Sequence, residues 1–266
     1  MTVFPTRRIG SAAMIVGACL ACGSSGGSSS SGKDGGATQD SAASGDSSSA
    51  SDGGTGTDSS SPGDSGGSTA WDGGFAGPLK CPGNGNYATN WANTCGTLRW
   101  SIKTGSDSAS TGVSLLPTLS TIATITAIAS PSPFPSGSTP RTAPTETTVY
   151  AFKDVNLIFA RLEDDSDYHL VMSNGTTTII TEVPYPGCVS GGPWGCLISR
   201  ARANVEAAIG VSNLQLDMGH DHNLTVSVVG VGFWDEEHGQ FDSAPNNVEL
   251  HPILAICFGA GCDPAM

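Results

Sequence analysis

Three histidine-containing segments lie close together near the end of the chain. They are His220-Asp221-His222, Asp235-Glu236-Glu237-His238 and Glu249-Leu250-His251. Imidazole and carboxylate groups are the ligands that zinc, manganese and similar divalent ions take in proteins. This region is therefore the candidate for a divalent-metal site, and the chemistry that such a site would support is hydrolysis.

The candidate ligands in this region are His238, Glu249 and His251. Side chains alternate along a strand, so Glu249 and His251 are expected on one face of a C-terminal strand. The loop that holds His238 precedes that strand and can fold over it. Either the three residues bind a divalent cation, or Glu249 and His251 hydrogen-bond the loop of His238 and fix it against the sheet. The spacing matches no established metal motif, so we favour the structural interpretation and predict no cofactor.

A second acidic segment, Glu163–Asp167, carries oxygen ligands that suit calcium. It lacks the length and the glycine of an EF-hand loop, which favours a solvated turn. His169 follows it between two apolar residues, a position typical of cross-strand packing. Residues 80–266 contain no GxSxG, no HExxH and no phosphate-binding glycine loop before a helix. We therefore predict no catalytic residues.

The first 22 residues have the order of a bacterial lipoprotein signal. Arg7-Arg8 precede the apolar run Ile9–Ala18, which is shorter than the roughly 20 residues that cross a bilayer. We predict that Cys19 is lipidated, because the residues before it suit the signal peptidase, and Cys22 is the alternative. The expected location is the cell envelope, outside the cytoplasm and at the outer membrane. The N-terminal lipid is expected to anchor the chain in that membrane.

Residues 23–79 are rich in Gly, Ser and Asp and show no apolar periodicity, so they cannot bury enough surface to offset the entropy of ordering. Aspartates recur every six residues from Asp34 to Asp64. A calcium-binding solenoid would also need a recurring large apolar residue, so we predict a solvated tether. Residues 80–266 are long enough for one domain with its own core.

Six cysteines fall in the predicted domain. An exported chain meets an oxidising environment, in which disulfides are the default. Spacing favours three local pairs, although six cysteines allow fifteen pairings. These pairs are Cys81 with Cys95, Cys188 with Cys196, and Cys257 with Cys262.

The apolar pattern predicts a mainly β domain. Asn174-Gly175 is a strong hairpin signal between two strands, and the strand before that hairpin is expected to bend near Lys153-Asp154. This order favours an OB-like five-stranded barrel with its helix between the third and fourth strands, and a β-sandwich is the alternative. The predicted strands are 120–129, 147–162, 168–173, 176–183, 224–233 and 247–258, and the predicted helix is 197–209.

The C-terminal part contains four short motifs: GVGFWD at 230–235, HGQ at 238–240, APN at 244–246 and ELHP at 249–252. With EDDSDYHLV at 163–171, they resemble a signature of exported bacterial domains of unassigned function. The resemblance spans most of residues 99–258. It implies an OB-like fold and extracytoplasmic use, and it implies no catalytic residues.

Charge limits the possible partners. The net charge is −13 and no basic cluster is present. Nucleic-acid binding depends on neutralising phosphates, so a nucleic-acid partner is disfavoured. The sequence favours a tethered, non-catalytic β-domain that binds an extracytoplasmic protein or glycan. The alternative is a metal-dependent hydrolase with histidine and carboxylate ligands.

Overall fold

The structure, a computed structural model, describes residues 72–216, 218–236 and 239–265. The predicted signal at 1–22, with Cys19 and Cys22, and most of the tether at 23–79 lie outside the described residues. The strands are β1 (Thr118–Ser120), β2 (Val149–Leu162), β3 (Tyr168–Ser173), β4 (Thr178–Val183), β5 (His220–Trp234) and β6 (Val248–Phe258). The helices are α1 (Trp100–Thr104), α2 (Ile122–Thr126) and α3 (Gly195–Ile209).

Five strands form a closed ring of pairings, here called the five-strand ring. β2 pairs antiparallel with both β3 and β5, β3 pairs with β4, and β5 pairs with β6. A parallel contact between β4 and β6, at Thr181 and Leu250, closes the ring. β1 adds to β2 in parallel outside the ring, and α3 packs mainly on β6. The prediction of a mainly β domain with one long helix is confirmed.

Local signals placed most of these elements correctly. The predicted hairpin, the long helix and the two C-terminal strands are all present. The bend in β2 also lies where it was expected: Asp154 has a positive φ of 51°, and the register with β5 shifts between Phe152 and Val155.

The predicted strand over residues 120–129 is wrong. Only Thr118–Ser120 is extended, and α2 follows it. The Thr121 hydroxyl caps this helix by accepting a hydrogen bond from the Thr124 N–H at 3.1 Å. Ile122 and Ile125, three residues apart, are both buried in the core. Burial on a helical period therefore outweighs the strand preference of β-branched residues here.

The apolar core fills one side of the ring strands and is covered by α3. Leu170 and Met172 of β3 meet Ile179 of β4 in this core, and α3 contributes Ile198 and Val205. The core also reaches the segment before α1. Leu79 is buried there, and its N–H donates to the Leu115 carbonyl at 2.8 Å.

The six cysteines form three disulfides, but two of the predicted pairings are wrong. Cys257–Cys262 is confirmed, whereas the other bonds are Cys81–Cys196 and Cys95–Cys188, with sequence separations of 115 and 93. The segment between Cys81 and Cys95 runs along α3 instead of closing on itself. Along this path, the Ala88 N–H donates to Glu206 of α3 at 2.6 Å.

Candidate functional site

A line of polar side chains crosses four neighbouring ring strands on the face opposite the apolar core. The register pairs Arg161 of β2 with His169 of β3, and His169 with Glu182 of β4. The parallel contact between β4 and β6 then brings His251 beside Glu182. Residues paired across strands share a face. We call Arg161, His169, Glu182 and His251 the polar row.

Glu182 is the centre of the polar row. Its Oε1 lies 3.0 Å from Nδ1 of His169, and its Oε2 lies 2.8 Å from Nδ1 of His251. Each imidazole also meets a second carboxylate: Glu163 lies 3.3 Å from Nδ1 of His169, and Asp167 lies 3.1 Å from Nε2 of His251. Apart from Glu163, whose side chain is 17% exposed, all these groups are buried.

Helix α1 brings a cation to the polar row. Nζ of Lys103 lies 3.5 Å from Asp235 and 3.9 Å from Oε2 of Glu182. It also stands 5.3 Å from the ring centre of Phe233, in cation–π contact. The same ring is approached at 4.9 Å by the guanidinium of Arg99, just before α1. Two cations therefore hold α1 over β5 and β6.

A second buried ion pair fixes the start of α1. Nη1 and Nη2 of Arg99 bind the two carboxylate oxygens of Glu146 at 2.6 and 2.7 Å. Oε1 of Glu146 also accepts the Trp234 N–H at 3.0 Å. Removing one member of such a buried pair typically costs about 3–5 kcal/mol, so this contact locks α1 to the end of β5.

The neighbours of the polar row decide which groups are charged. Burial raises the pKa of Glu182, but His169, His251 and Lys103 outweigh it, and the pKa falls well below its usual range. Burial and the charge of Lys103 lower the pKa of His251, but Asp167 and Glu182 outweigh them and raise it to about 9. At neutral pH, Glu182 is therefore an anion and His251 is a cation.

Two further carboxyl groups are held against ionisation. Burial raises the pKa of Glu249 well above its ordinary value, and the negative charges of Glu182 and Asp235 add to that effect. Oε2 of Glu249 has no hydrogen-bond partner among the described residues. Burial also raises the pKa of Asp167, to about 6, although His251 opposes the shift.

Two groups of side chains in the described ranges have the composition of a metal site. One is Glu163, His169 and Glu182, and the other is Asp167, Glu182 and His251; in each group the potential ligand atoms lie within 4.8 Å of one another. Glu182 belongs to both groups, since its two carboxylate oxygens contact different histidines.

The structure describes two of the three predicted site residues. Glu249 and His251 are adjacent on the same face of β6, as the alternation of side chains indicates, while His238 lies outside the described residues. The structure places two carboxyl groups against His251: that of Asp167, just before β3, and that of Glu182, on β4. Neither His220 nor His222 belongs to the two groups above.

Sequence reasoning missed the contribution of the acidic turn. Residues 163–167 were expected to be solvated, yet Asp167 is fully buried and only Asp164 is exposed. The signal that leads to this site is the hairpin register, because it sets His169 opposite Glu182.

An open pocket of about 330 Å³ lies beside the polar row. Lys103, Trp100 and Asp165 form part of its wall, together with Asp164 and residues 94–98. The pocket therefore brings solvent near the ammonium of Lys103 and the turn that carries Glu163.

No family model matches the chain, and no curated protein matches its sequence. The resemblance to exported domains of OB-like fold therefore stays a prediction.

The pKa of His251 predicts how stability depends on pH in the presence of a chelator. The pKa of His251 is about 9 in the folded chain against an ordinary value of 6.5. The protonated His251 therefore contributes fully to the free energy of unfolding below pH 6.5, and this contribution disappears as the pH rises through 9. We expect the free energy of unfolding of the wild type to fall between pH 7 and 10. His251→Gln should lose about 1–3 kcal/mol at pH 7 and much of this slope.

The measurement is urea denaturation at several pH values. His222→Gln is the matched control, because burial and the nearby His220 lower the pKa of His222, and this variant should keep the wild-type slope. An unchanged slope in His251→Gln would show that His251 is not the buried cation.

Proposed function

We propose that the chain is a lipid-anchored extracytoplasmic protein that displays an OB-like binding domain. The strand order and the disulfides support this proposal. Around the ring the strands follow the order β2-β3-β4-β6-β5, and α3 joins the third ring strand to the fourth, as in an OB-type barrel. The three disulfides suit an oxidising compartment. In the ranges that the structure describes, no helix is long and apolar enough to cross a membrane.

The face that OB-type barrels often use for oligonucleotides is covered in this chain. In such barrels, ligands lie on the second and third strands, which correspond to β3 and β4. Here the outer side of these strands carries His169 and Glu182, both buried, with Lys103 of α1 close to Glu182. The face is also rich in carboxyl groups, which would repel phosphates. A ligand must therefore bind elsewhere, and a nucleic acid is disfavoured.

A group of aromatic side chains on another part of the domain supports ligand binding. The indole of Trp91 stacks on the ring of Tyr185 with an interplanar angle of 18°, and Tyr87 meets Tyr185 edge-on. We call these three residues the aromatic surface. Trp91 remains 39% exposed. The Arg202 guanidinium donates to three backbone carbonyls at 2.7, 2.9 and 3.0 Å and lies 5.2 Å from the ring centre of Tyr185.

The aromatic surface adjoins an open pocket of about 320 Å³ whose wall includes Asn84, Tyr87 and Pro186. Flat rings beside an amide provide an apolar platform with a few oriented hydrogen bonds. This combination suits the apolar faces and hydroxyl groups of a sugar. The stacked, exposed Trp91 is the observation that carries the proposal, and the ligand class that it favours is a glycan.

A metal-dependent hydrolase is the second candidate, because the two histidine and carboxylate groups contain metal-ligand chemistry. Their side chains are nearly all buried, and His251 and Asp167 are completely so. A polymeric substrate has no room to reach them in this conformation. Binding is therefore the function that the geometry supports better.

Anchoring is tested by replacing the two candidate cysteines in the full chain and labelling cells with a palmitate analogue. One of the variants Cys19→Ser and Cys22→Ser should move the protein from the membrane to the soluble fraction, and the other should remain anchored. The double variant should incorporate no label. Labelling of the double variant would contradict lipid anchoring.

Ligand binding is tested with the purified full chain in detergent, on insoluble polysaccharides that include peptidoglycan, chitin and cellulose. Trp91→Ala should weaken binding by about tenfold or more, equivalent to roughly 1.4 kcal/mol, because it removes the exposed ring. Phe241→Ala is the control, since Phe241 is 87% exposed and is not part of the aromatic surface. Equal retention of wild type and Trp91→Ala, or no retention at all, would contradict the proposal.

A further inference from the structure

Nδ1 of His169 faces more acceptors than one proton can serve. The nearest carboxylate oxygens of Glu182 and Glu163 lie 3.0 and 3.3 Å away from this single nitrogen. A protonated nitrogen donates one hydrogen bond and cannot satisfy both fully. An unprotonated nitrogen would complete a set of three lone-pair donors directed at one another.

The potential ligand atoms of Glu163, His169 and Glu182 all lie within 4.8 Å of one another, so small side-chain movements would bring them to the spacing of ligands around a small divalent ion. Ligands at about 2.0–2.2 Å from zinc in tetrahedral geometry lie roughly 3.3–3.6 Å from each other. One imidazole and two carboxylates also form a donor set that zinc accepts. We propose that Glu163, His169 and Glu182 bind one zinc ion, with its fourth position open to water.

The chain holds these three ligands in place before any ion arrives. Glu163 directly follows β2, His169 is on β3 and Glu182 is on β4, so paired strands fix their separation. Arg161 binds Oε1 of Glu163 through Nη2 at 2.6 Å. The other oxygen of Glu182 is held by His251 at 2.8 Å. Outer contacts of this kind orient the ligands of metal sites.

Two carboxylates approach the same imidazole nitrogen in the proposed site. The nearest oxygens of Glu182 and Glu163 lie 3.0 and 3.3 Å from Nδ1 of His169. Like charges at such short range repel each other, and a divalent ion between the two carboxylates would offset this repulsion.

The second group of candidate ligands differs from the first in its access to solvent. Its members are Asp167, Glu182 and His251, and all three are buried. In the group of His169, the Glu163 side chain is 17% exposed and offers an ion a path from solvent.

The test uses the full chain, stripped with a chelator, dialysed and titrated with ZnCl₂ by calorimetry. The wild type should bind one zinc per chain. Glu163→Gln and His169→Asn should each bind zinc at least about tenfold more weakly, while Asp164→Asn, which changes an exposed neighbour of Glu163, should bind like the wild type. X-ray absorption of the loaded protein should show nitrogen and oxygen ligands at about 2.0–2.2 Å and no sulfur.

A variant that lacks the three histidines outside the polar row distinguishes this site from adventitious zinc binding. His220→Gln/His222→Gln/His238→Gln should retain the wild-type affinity. The proposal is overturned if the wild type binds no zinc, if this triple variant loses binding, or if Glu163→Gln binds as tightly as the wild type. Glu163→Gln decides the matter should His169→Asn fail to fold, because Glu163 lies at the partly exposed edge of the site.

Discussion

The carboxylate of Glu182 is the interaction on which the rest of this domain depends. A fully buried anion is costly unless other charges and hydrogen bonds compensate it. Here the compensation comes from three directions: His169 on β3, His251 on β6 and Lys103 on α1. Because each partner belongs to a different element, satisfying Glu182 requires the strands and the helix to assemble in one arrangement.

The same requirement explains why α1 covers the outer face of β3 and β4. Lys103 is largely buried, and burial lowers its pKa, yet the surrounding carboxylates, with Glu182 and Asp235 the strongest, outweigh that effect and raise the pKa. Arg99 and Glu146 fix the start of the helix by a paired hydrogen bond. The face is thereby committed to internal contacts, which is why we propose that an external ligand binds at the aromatic surface instead.

Much of the fold follows from local sequence patterns. The apolar pattern located α3 to within two residues and both C-terminal strands to within four, and Asn174-Gly175 located the hairpin. The pattern at 120–129 misled because its β-branched residues favour a strand, whereas Ile122 and Ile125, three residues apart, share one buried face only in a helix. The disulfides of Cys81 and Cys95 depend on a path along α3 that sequence spacing does not reveal.

The length of the loop between β3 and β4 also could not be predicted from the sequence. A two-residue loop at Asn174-Gly175 would pair Ser173 with Thr176 and place His169 opposite Ile180. The loop instead has four residues, since Ser173 pairs with Thr178. This two-residue shift of register sets His169 opposite Glu182. Oδ1 of Asn174 accepts hydrogen bonds from the N–H groups of Thr176 and Thr177, each at 2.9 Å, and these bonds stabilise the longer loop.

Two carboxylates surround His251 and hold it as a cation at neutral pH. The protonation of this imidazole is measured by nitrogen-15 NMR of the histidine side chains in the chelator-treated full chain, with the signal of His251 assigned from His251→Gln. We expect both ring nitrogens of His251 to carry protons at pH 7, with the shifts of an imidazolium. A neutral tautomer with one bare nitrogen at that pH would contradict it.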